Sequence, residues 1–105
     1  MKRNQAIKML RQWHEECIKA AKNLPAPFHA IVEEQERTYT DGTCYKYEAE
    51  VWQEDISEPA TPRRRGDMYS FYSDEEIIAN YNEQLEAFKA DVERIVNEHK
   101  NNTAA

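Results

Sequence analysis

The sequence predicts a small α+β domain in which a three-stranded antiparallel sheet packs against an N-terminal and a long C-terminal helix, in the order αβββα. Three observations lead to this fold class. Apolar residues recur every three or four positions near both ends of the chain, which is the period of a helix. Between them the period changes to two around a turn signal, which is typical of a β-hairpin. A short aromatic run after the hairpin supplies the third strand.

The first element is predicted as an amphipathic helix over residues 4–24. Its apolar positions recur at helical spacing and fall at Ile7, Leu10, His14, Cys17, Ala21 and Leu24. Lysine, arginine and glutamate occupy the opposite face. Pro25 and Pro27 forbid continuation of the helix, because proline has no N–H to donate and restricts the residue before it.

The hairpin is predicted between about Phe28 and Gln53, with its turn at Thr40-Asp41-Gly42-Thr43. Two registers are open. A two-residue turn at Asp41-Gly42 places like charges opposite each other, at Glu33–Glu50 and Arg37–Lys46. A three-residue loop ending at Gly42 gives slightly better pairs, Glu36–Lys46 and Ile31–Val51, and one worse pair, Glu34–Glu48. In both registers one face of the second strand carries the predicted core residues Tyr45, Tyr47, Ala49 and Val51.

Residues 54–67 are predicted as an irregular loop, since they contain two prolines, one glycine and almost no apolar side chains. A loop of about 14 residues is long for a compact domain, and such loops tend to be functional or disordered. The third strand is predicted at Met68–Tyr72.

The long helix is predicted to begin at Asp74, because Ser73-Asp74-Glu75-Glu76 is a capping-box pattern. Its apolar stripe alternates spacings of three and four through Ile78, Tyr81, Leu85, Phe88, Val92, Ile95 and His99. A helix from Asp74 to Lys100 is about 40 Å long, more than a small sheet covers. Part of the stripe therefore needs another partner, either the first helix or the same helix of a second subunit in a homodimer.

The length of 105 residues allows one hydrophobic core. We assign residues 1–100 to a single domain and residues 101–105 to a flexible C-terminal tail. No secretory signal is recognisable, and no apolar run approaches the ~18 residues that cross a bilayer. Cys17 and Cys44 make no disulfide framework in a chain with a core of this size. These features predict a cytoplasmic protein with reduced thiols and no membrane association.

Charge is segregated along the chain, whose net charge is −6. Residues 1–24 carry an excess of lysine and arginine, whereas residues 28–60 are strongly acidic. An acidic body disfavours nucleic-acid binding by the whole domain, and the basic first helix keeps a local form of it open. The element order is that of double-stranded RNA-binding domains. The last helix, however, begins with acidic residues where phosphate contacts need lysine, so we claim no family resemblance.

The sequence contains no recognisable metal-binding or catalytic motif. His14, Cys17, His29 and Cys44 are ligand types that suit zinc, but no pair of them has zinc-ligand spacing. Two glycines leave no phosphate-binding loop. The many carboxylates of the hairpin are explained by a solvent-facing sheet surface. The sequence therefore predicts no enzyme activity, no cofactor and no metal.

The function predicted from these features is a non-enzymatic protein-interaction module of the inhibitor or adaptor type. It binds a partner protein through an aromatic and acidic sheet face or through the long helix. The predicted contact residues are Trp52, Tyr69, Tyr72, Glu33, Glu48, Glu50, Arg63, Arg64 and Arg65. Two alternatives remain: an acidic nucleic-acid mimic of phage or mobile-element type, and a nucleic-acid binder that uses the basic first helix and the Arg63–Arg65 loop.

Overall fold

The computed structural model describes residues 2–104, with the side chains of residues 2–100. Its elements are α1 (Arg3–Ala21), β1 (Phe28–Tyr39), β2 (Gly42–Gln53), β3 (Arg64–Tyr69) and α2 (Asp74–Ala104). The strands form one antiparallel sheet in the order β1-β2-β3. The predicted αβββα fold class is confirmed. The predicted tail, residues 101–105, lies where the structure describes no side chains, and Ala105 lies outside the described residues, so that expectation stays a prediction.

Both helices pack on one face of the sheet. The core joins apolar residues of α1 and α2 to the inward residues of β2 and β3, among them the four predicted for β2: Tyr45, Tyr47, Ala49 and Val51. The helices lie side by side and run in the same direction. Ala6 and Ile77 line one cavity near their first turns, Lys89 Nζ lies 3.5 Å from Glu16 Oε2 further along, and Ala20 meets Val96 near the end of α1.

The buried face of α1 differs from the predicted stripe. Leu10 and Cys17 are buried as expected, but Ala6 and Trp13 occupy core positions in place of Ile7 and His14. The reason is that the Trp13 ring packs on Tyr47, with ring centroids 4.6 Å apart. The helix also ends at Ala21, three residues before the predicted end.

Neither predicted hairpin register is correct. Tyr39 pairs with Gly42, so the loop consists of Thr40 and Asp41 alone. A type I′ turn needs positive φ at both central residues, whereas the positive φ in this turn falls at Gly42, the first residue of β2, at 144°. The observed register places Glu33 opposite Glu48, a like-charge pair whose repulsion is offset by Arg63, 3.8 Å from Glu48.

The third strand begins four residues earlier than predicted and ends at Tyr69. The predicted loop 54–67 is therefore shortened to residues 54–63. This loop is held against the end of β2: the N–H of Ala60 donates to the carbonyl of Val51 at 2.7 Å, and the hydroxyl of Thr61 accepts from the N–H of Val51 at 3.0 Å. The sequence predicted a loop here because Arg64, Arg65 and Gly66 do not show the alternation of apolar and polar side chains that is typical of a strand.

Gly66 occupies a position of β3 that admits no side chain. Tyr47 is its direct partner on β2, and the Tyr47 hydroxyl donates to Asn80 Oδ1 of α2 at 2.6 Å across it. A Cβ on Gly66 would overlap both of these groups. The glycine therefore lets an aromatic ring of the middle strand reach the long helix.

Helix α2 begins at Asp74, as predicted. Most of its apolar stripe is buried within the single chain. Tyr81, Leu85, Phe88, Val92 and Ile95 are all buried, while Ile77 is buried in place of Ile78. Helix α1 covers the part of the stripe that lies beyond the sheet. The stripe therefore needs no second subunit to cover it, and a homodimer through this helix stays an untested prediction.

Candidate interaction surface

One face of the sheet carries no helix, and we call it the helix-free face. Alternation along the strands assigns to it the odd residues of β1, the even residues of β2 and the odd residues of β3. Six of the predicted contact residues lie on it: Glu33, Glu48, Glu50, Trp52, Arg65 and Tyr69. Arg63 lies beside this face, Tyr72 lies in the turn between β3 and α2, and Arg64 points to the opposite face.

The centre of the helix-free face carries a charge band formed by Glu33, Glu48, Glu50, Arg63 and Arg65. Glu48 lies between Glu33 on β1 and Arg65 on β3. The guanidinium of Arg63 lies 3.4 Å from Glu50 Oε2 and 3.8 Å from Glu48 Oε2. The band is therefore mixed in sign, and two of the predicted acidic contacts are already paired within the chain.

The three consecutive arginines do not form one basic patch, because Arg64 and Arg65 belong to a strand and project to opposite faces. Arg64 makes two hydrogen bonds to Asp91 of α2, at 2.8 and 3.1 Å, and the Arg64–Asp91 hydrogen bond raises the pKa of the guanidinium. The prediction that the three arginines lie in an irregular loop is therefore wrong for Arg64 and Arg65. Arg63 and Arg65 remain at the surface.

An aromatic cluster with one exposed ring lies where β3 meets α2. It consists of Tyr69, Phe71 and Tyr72, whose ring centroids are 5.0 to 5.2 Å apart. Phe71 is 64% exposed, and its ring stacks on Tyr69 with an interplanar angle of 19°. The sequence prediction included Tyr69 and Tyr72 but missed Phe71. The aromatic run itself was the available signal, but its placement as a strand hid the turn that presents Phe71.

Trp52 marks the opposite end of the helix-free face and is less accessible than predicted. It is half-buried, since the loop folds back to form a bridge between Trp52 and Pro59. Its Nε1 is buried and has no hydrogen-bond partner among the described residues. A shallow depression beside it is lined by Glu50, Glu58, Thr61, Arg63 and Arg65 together with the prolines of the loop. Trp52 therefore forms part of the sheet surface at this end and does not project as an anchor for a partner.

The two thiols lie apart and are both buried. Cys17 belongs to the core between the helices, whereas the alternation of β2 places Cys44 on the other side of the sheet. Burial raises the pKa of Cys17 to about 12, and burial together with Asp67 raises the pKa of Cys44. Both therefore stay protonated at neutral pH and are poor nucleophiles. Among residues 2–100, no group of three or more His, Cys, Asp or Glu side chains is arranged to hold a metal ion.

No protein-family model, curated protein or solved structure matches the chain. Within the described part of the chain, neither helix has the length and apolar content needed to cross a lipid bilayer.

Proposed function

We propose that the chain is a non-enzymatic interaction module that binds a partner protein through the aromatic cluster and the adjoining helix-free face. The observation that carries the proposal is the exposure of Phe71 within three mutually packed rings. Large aromatic side chains supply much of the energy of protein interfaces when they are fixed before binding. Here Tyr69 and Tyr72 hold the Phe71 ring from two sides, so little side-chain entropy remains to be lost.

The charge band supports the same proposal in a different way. Its carboxylates and guanidinium groups alternate over a short distance and are partly paired with each other. Such a mixed surface contributes little binding energy by itself, but it discriminates between partners by the pattern of charge that each presents. An aromatic anchor beside a patterned polar surface matches the core and rim of a protein interface.

The experiment compares tagged wild-type protein with two variants in affinity capture from the native host, followed by titration of each recovered protein in purified form. Phe71→Ala removes the exposed anchor. Ile78→Ala is the matched control, since Ile78 is also an exposed apolar residue but lies on α2, the alternative binding surface. We expect Phe71→Ala to weaken binding of the partner by roughly 30-fold or more, as for the truncation of a hot-spot residue, and Ile78→Ala to leave it unchanged.

The reverse pattern, with binding lost in Ile78→Ala and kept in Phe71→Ala, would assign the partner to the long helix and contradict the proposal. Circular dichroism of both variants keeps the result interpretable. Ile78→Ala removes an exposed side chain, so we expect it to change stability by no more than about 0.5 kcal/mol. Phe71→Ala also loses two ring contacts, so we expect a loss of about 1 kcal/mol that leaves the protein folded.

The two other functions predicted from the sequence have less support. A nucleic-acid mimic needs unpaired carboxylates in a row, but Glu48 and Glu50 face Arg63. Direct phosphate binding through the arginine triplet needs its members on one side, but Arg64 is held by Asp91. Salt-independent binding of the partner would argue against both, because each depends on phosphate-type electrostatics.

A further inference from the structure

The two edges of the sheet are not equivalent. At the β3 edge, the backbone N–H of Arg65 donates to Gln84 Oε1 of α2 at 3.1 Å, so an outward group of this edge is already bonded to the long helix. At the other edge, no described residue pairs with β1 on the side away from β2. Residues 33–39 of β1 are all exposed. A strand of 12 residues without proline is an unusually long open edge for a small domain.

The alternation of hydrogen-bonded and non-bonded pairs along the β1–β2 ladder shows which backbone groups of β1 face the open edge. The N–H of Glu54 donates to the carbonyl of Pro27 at 3.1 Å, which continues the β1–β2 ladder by one pair. Opposed residues alternate between bonded and non-bonded pairs in an antiparallel ladder. The odd residues of β1 therefore bond to β2. The even residues, Ala30 to Thr38, direct their N–H and C=O groups outward.

The side chains along β1 are complementary to a second copy of the same strand in the antiparallel sense. If the twofold axis passes through Gln35, Glu33 of one copy lies opposite Arg37 of the other. In the same register Ile31 lies opposite Tyr39. Both of these apolar residues are exposed in the single chain, at 38% and 41%. In this register the hydrogen-bonded pairs between the two copies form only between even-numbered residues, whose N–H and C=O groups face the open edge.

On the inner side this register places Glu34 of one copy opposite Glu36 of the other. Each carboxylate already has a basic neighbour in its own chain. Arg3 Nε lies 3.4 Å from Glu36 Oε1, and His14 Nδ1 lies 3.9 Å from Glu34 Oε2. The guanidinium of Arg3 reduces the repulsion that two opposed carboxylates would otherwise cause.

We propose that the open edge of β1 binds a second copy of this chain, with residues 31–39 of the two copies paired antiparallel about Gln35. The product is a dimer with one continuous sheet, in which the helices of both copies lie on the same side. The aromatic cluster lies at the opposite edge of the sheet, and Arg37, the residue reversed first in the test below, lies outside the charge band.

The test is a charge-reversal cycle measured by sedimentation equilibrium. Arg37→Glu places two carboxylates opposite each other at two symmetric sites, so we expect it to weaken dimerisation by about tenfold or more. Glu33→Arg should act similarly. The double variant Glu33→Arg with Arg37→Glu restores opposite charges in the same register and should recover most of the affinity.

A concentration series of amide hydrogen exchange supplies the second readout. At high protein concentration we expect new protection at Val32, Glu34, Glu36 and Thr38, with no change at the odd residues, which already bond to β2. Wild-type protein that remains monomeric up to about 1 mM would overturn the proposal. A dimer unaffected by Arg37→Glu, or one without the alternating protection, would overturn it as well.

Discussion

Arg63 and Arg64 are neighbours in the sequence but lie in different environments. The Arg63 side chain is 52% exposed and reaches two carboxylates of the charge band at 3.4 Å or more. The Arg64 side chain is 28% exposed and makes two hydrogen bonds with Asp91, whose side chain is only 9% exposed. Arg63 therefore makes one surface ion pair with Glu48 and one long contact with Glu50, whose side chain is 11% exposed, whereas Arg64 makes two short hydrogen bonds that join β3 to α2.

The same substitution at the two arginines should therefore have different effects on stability. We expect Arg64→Ala to lower the free energy of unfolding by about 2 kcal/mol, because the buried Asp91 carboxylate loses both hydrogen bonds and keeps only Arg94, 4.0 Å away. We expect Arg63→Ala to lower it by about 1 kcal/mol, because the Arg63 side chain is 52% exposed and its contact with the buried Glu50 carboxylate is a single long hydrogen bond of 3.4 Å. Urea unfolding of both variants at one salt concentration measures the difference. Equal effects of the two substitutions would show that the two short hydrogen bonds of Arg64 contribute no more than the longer contacts of Arg63.

At the scale of the elements, sequence periodicity predicted what was buried better than where strands begin and pair. The start of α2 and the inward face of β2 were both predicted, since each depends on a regular apolar spacing. The register of the hairpin was not, because it depends on the φ angle of Gly42 and on Arg63, which is distant in sequence. The start of β3 was missed because Arg64 is an inward residue that looks solvent-facing until Asp91 is placed beside it.

The same limit applies to the interaction surface. Alternation along the strands brings most of the predicted contact residues to one face, including Glu33, Glu50 and Tyr69. The exposure of Phe71 arises from a turn, and turns leave no periodic signal in the sequence. The burial of Trp52 depends on the loop that returns to Pro59, which composition alone could not reveal.

The N-terminus of α2 carries a cap whose effect can be measured. The Ser73 hydroxyl accepts from the N–H of Glu76 at 3.2 Å and donates to the Glu76 carboxylate at 3.1 Å. We expect Ser73→Ala to destabilise the protein by about 1 kcal/mol and Ser73→Asp, which can still accept that hydrogen bond, to restore most of the loss. Thermal unfolding followed by circular dichroism tests this. An alanine variant as stable as the wild type would mean that the first turn of α2 is held by packing at Ile77 alone.

For the whole molecule, the core contains several groups that can ionise only at a cost. Burial raises the pKa of Cys17 from 9.0 to about 12, and it also raises the pKa values of Tyr47 and Tyr81 above 10.0. In the unfolded chain these groups ionise at their ordinary pKa values. Their contribution to stability is therefore complete below about pH 9 and is lost as the pH rises toward the folded-state values.

We accordingly expect the free energy of unfolding to be nearly constant between pH 7 and 8.5 and to fall steadily above pH 9. The slope should approach about 1.4 kcal/mol per pH unit for each group that ionises only in the unfolded chain. Urea titrations at fixed ionic strength across this range measure it. Tyr81→Phe removes one of the groups, so its decline above pH 10 should be shallower than that of the wild type. A flat profile up to pH 11 would contradict the assignment of these groups to the core.

The packing of both helices on the same side of the sheet also makes the molecule a natural scaffold. Side chains at Gln35, Lys46, Glu48 and Asp67 point away from the core between the sheet and the helices, so a display library randomised at these positions leaves that core intact. Neighbouring positions on adjacent strands are about 5 Å apart, so the randomised side chains would contact one another. A chain of 105 residues thus provides a sheet surface whose side chains can be changed without changing the fold.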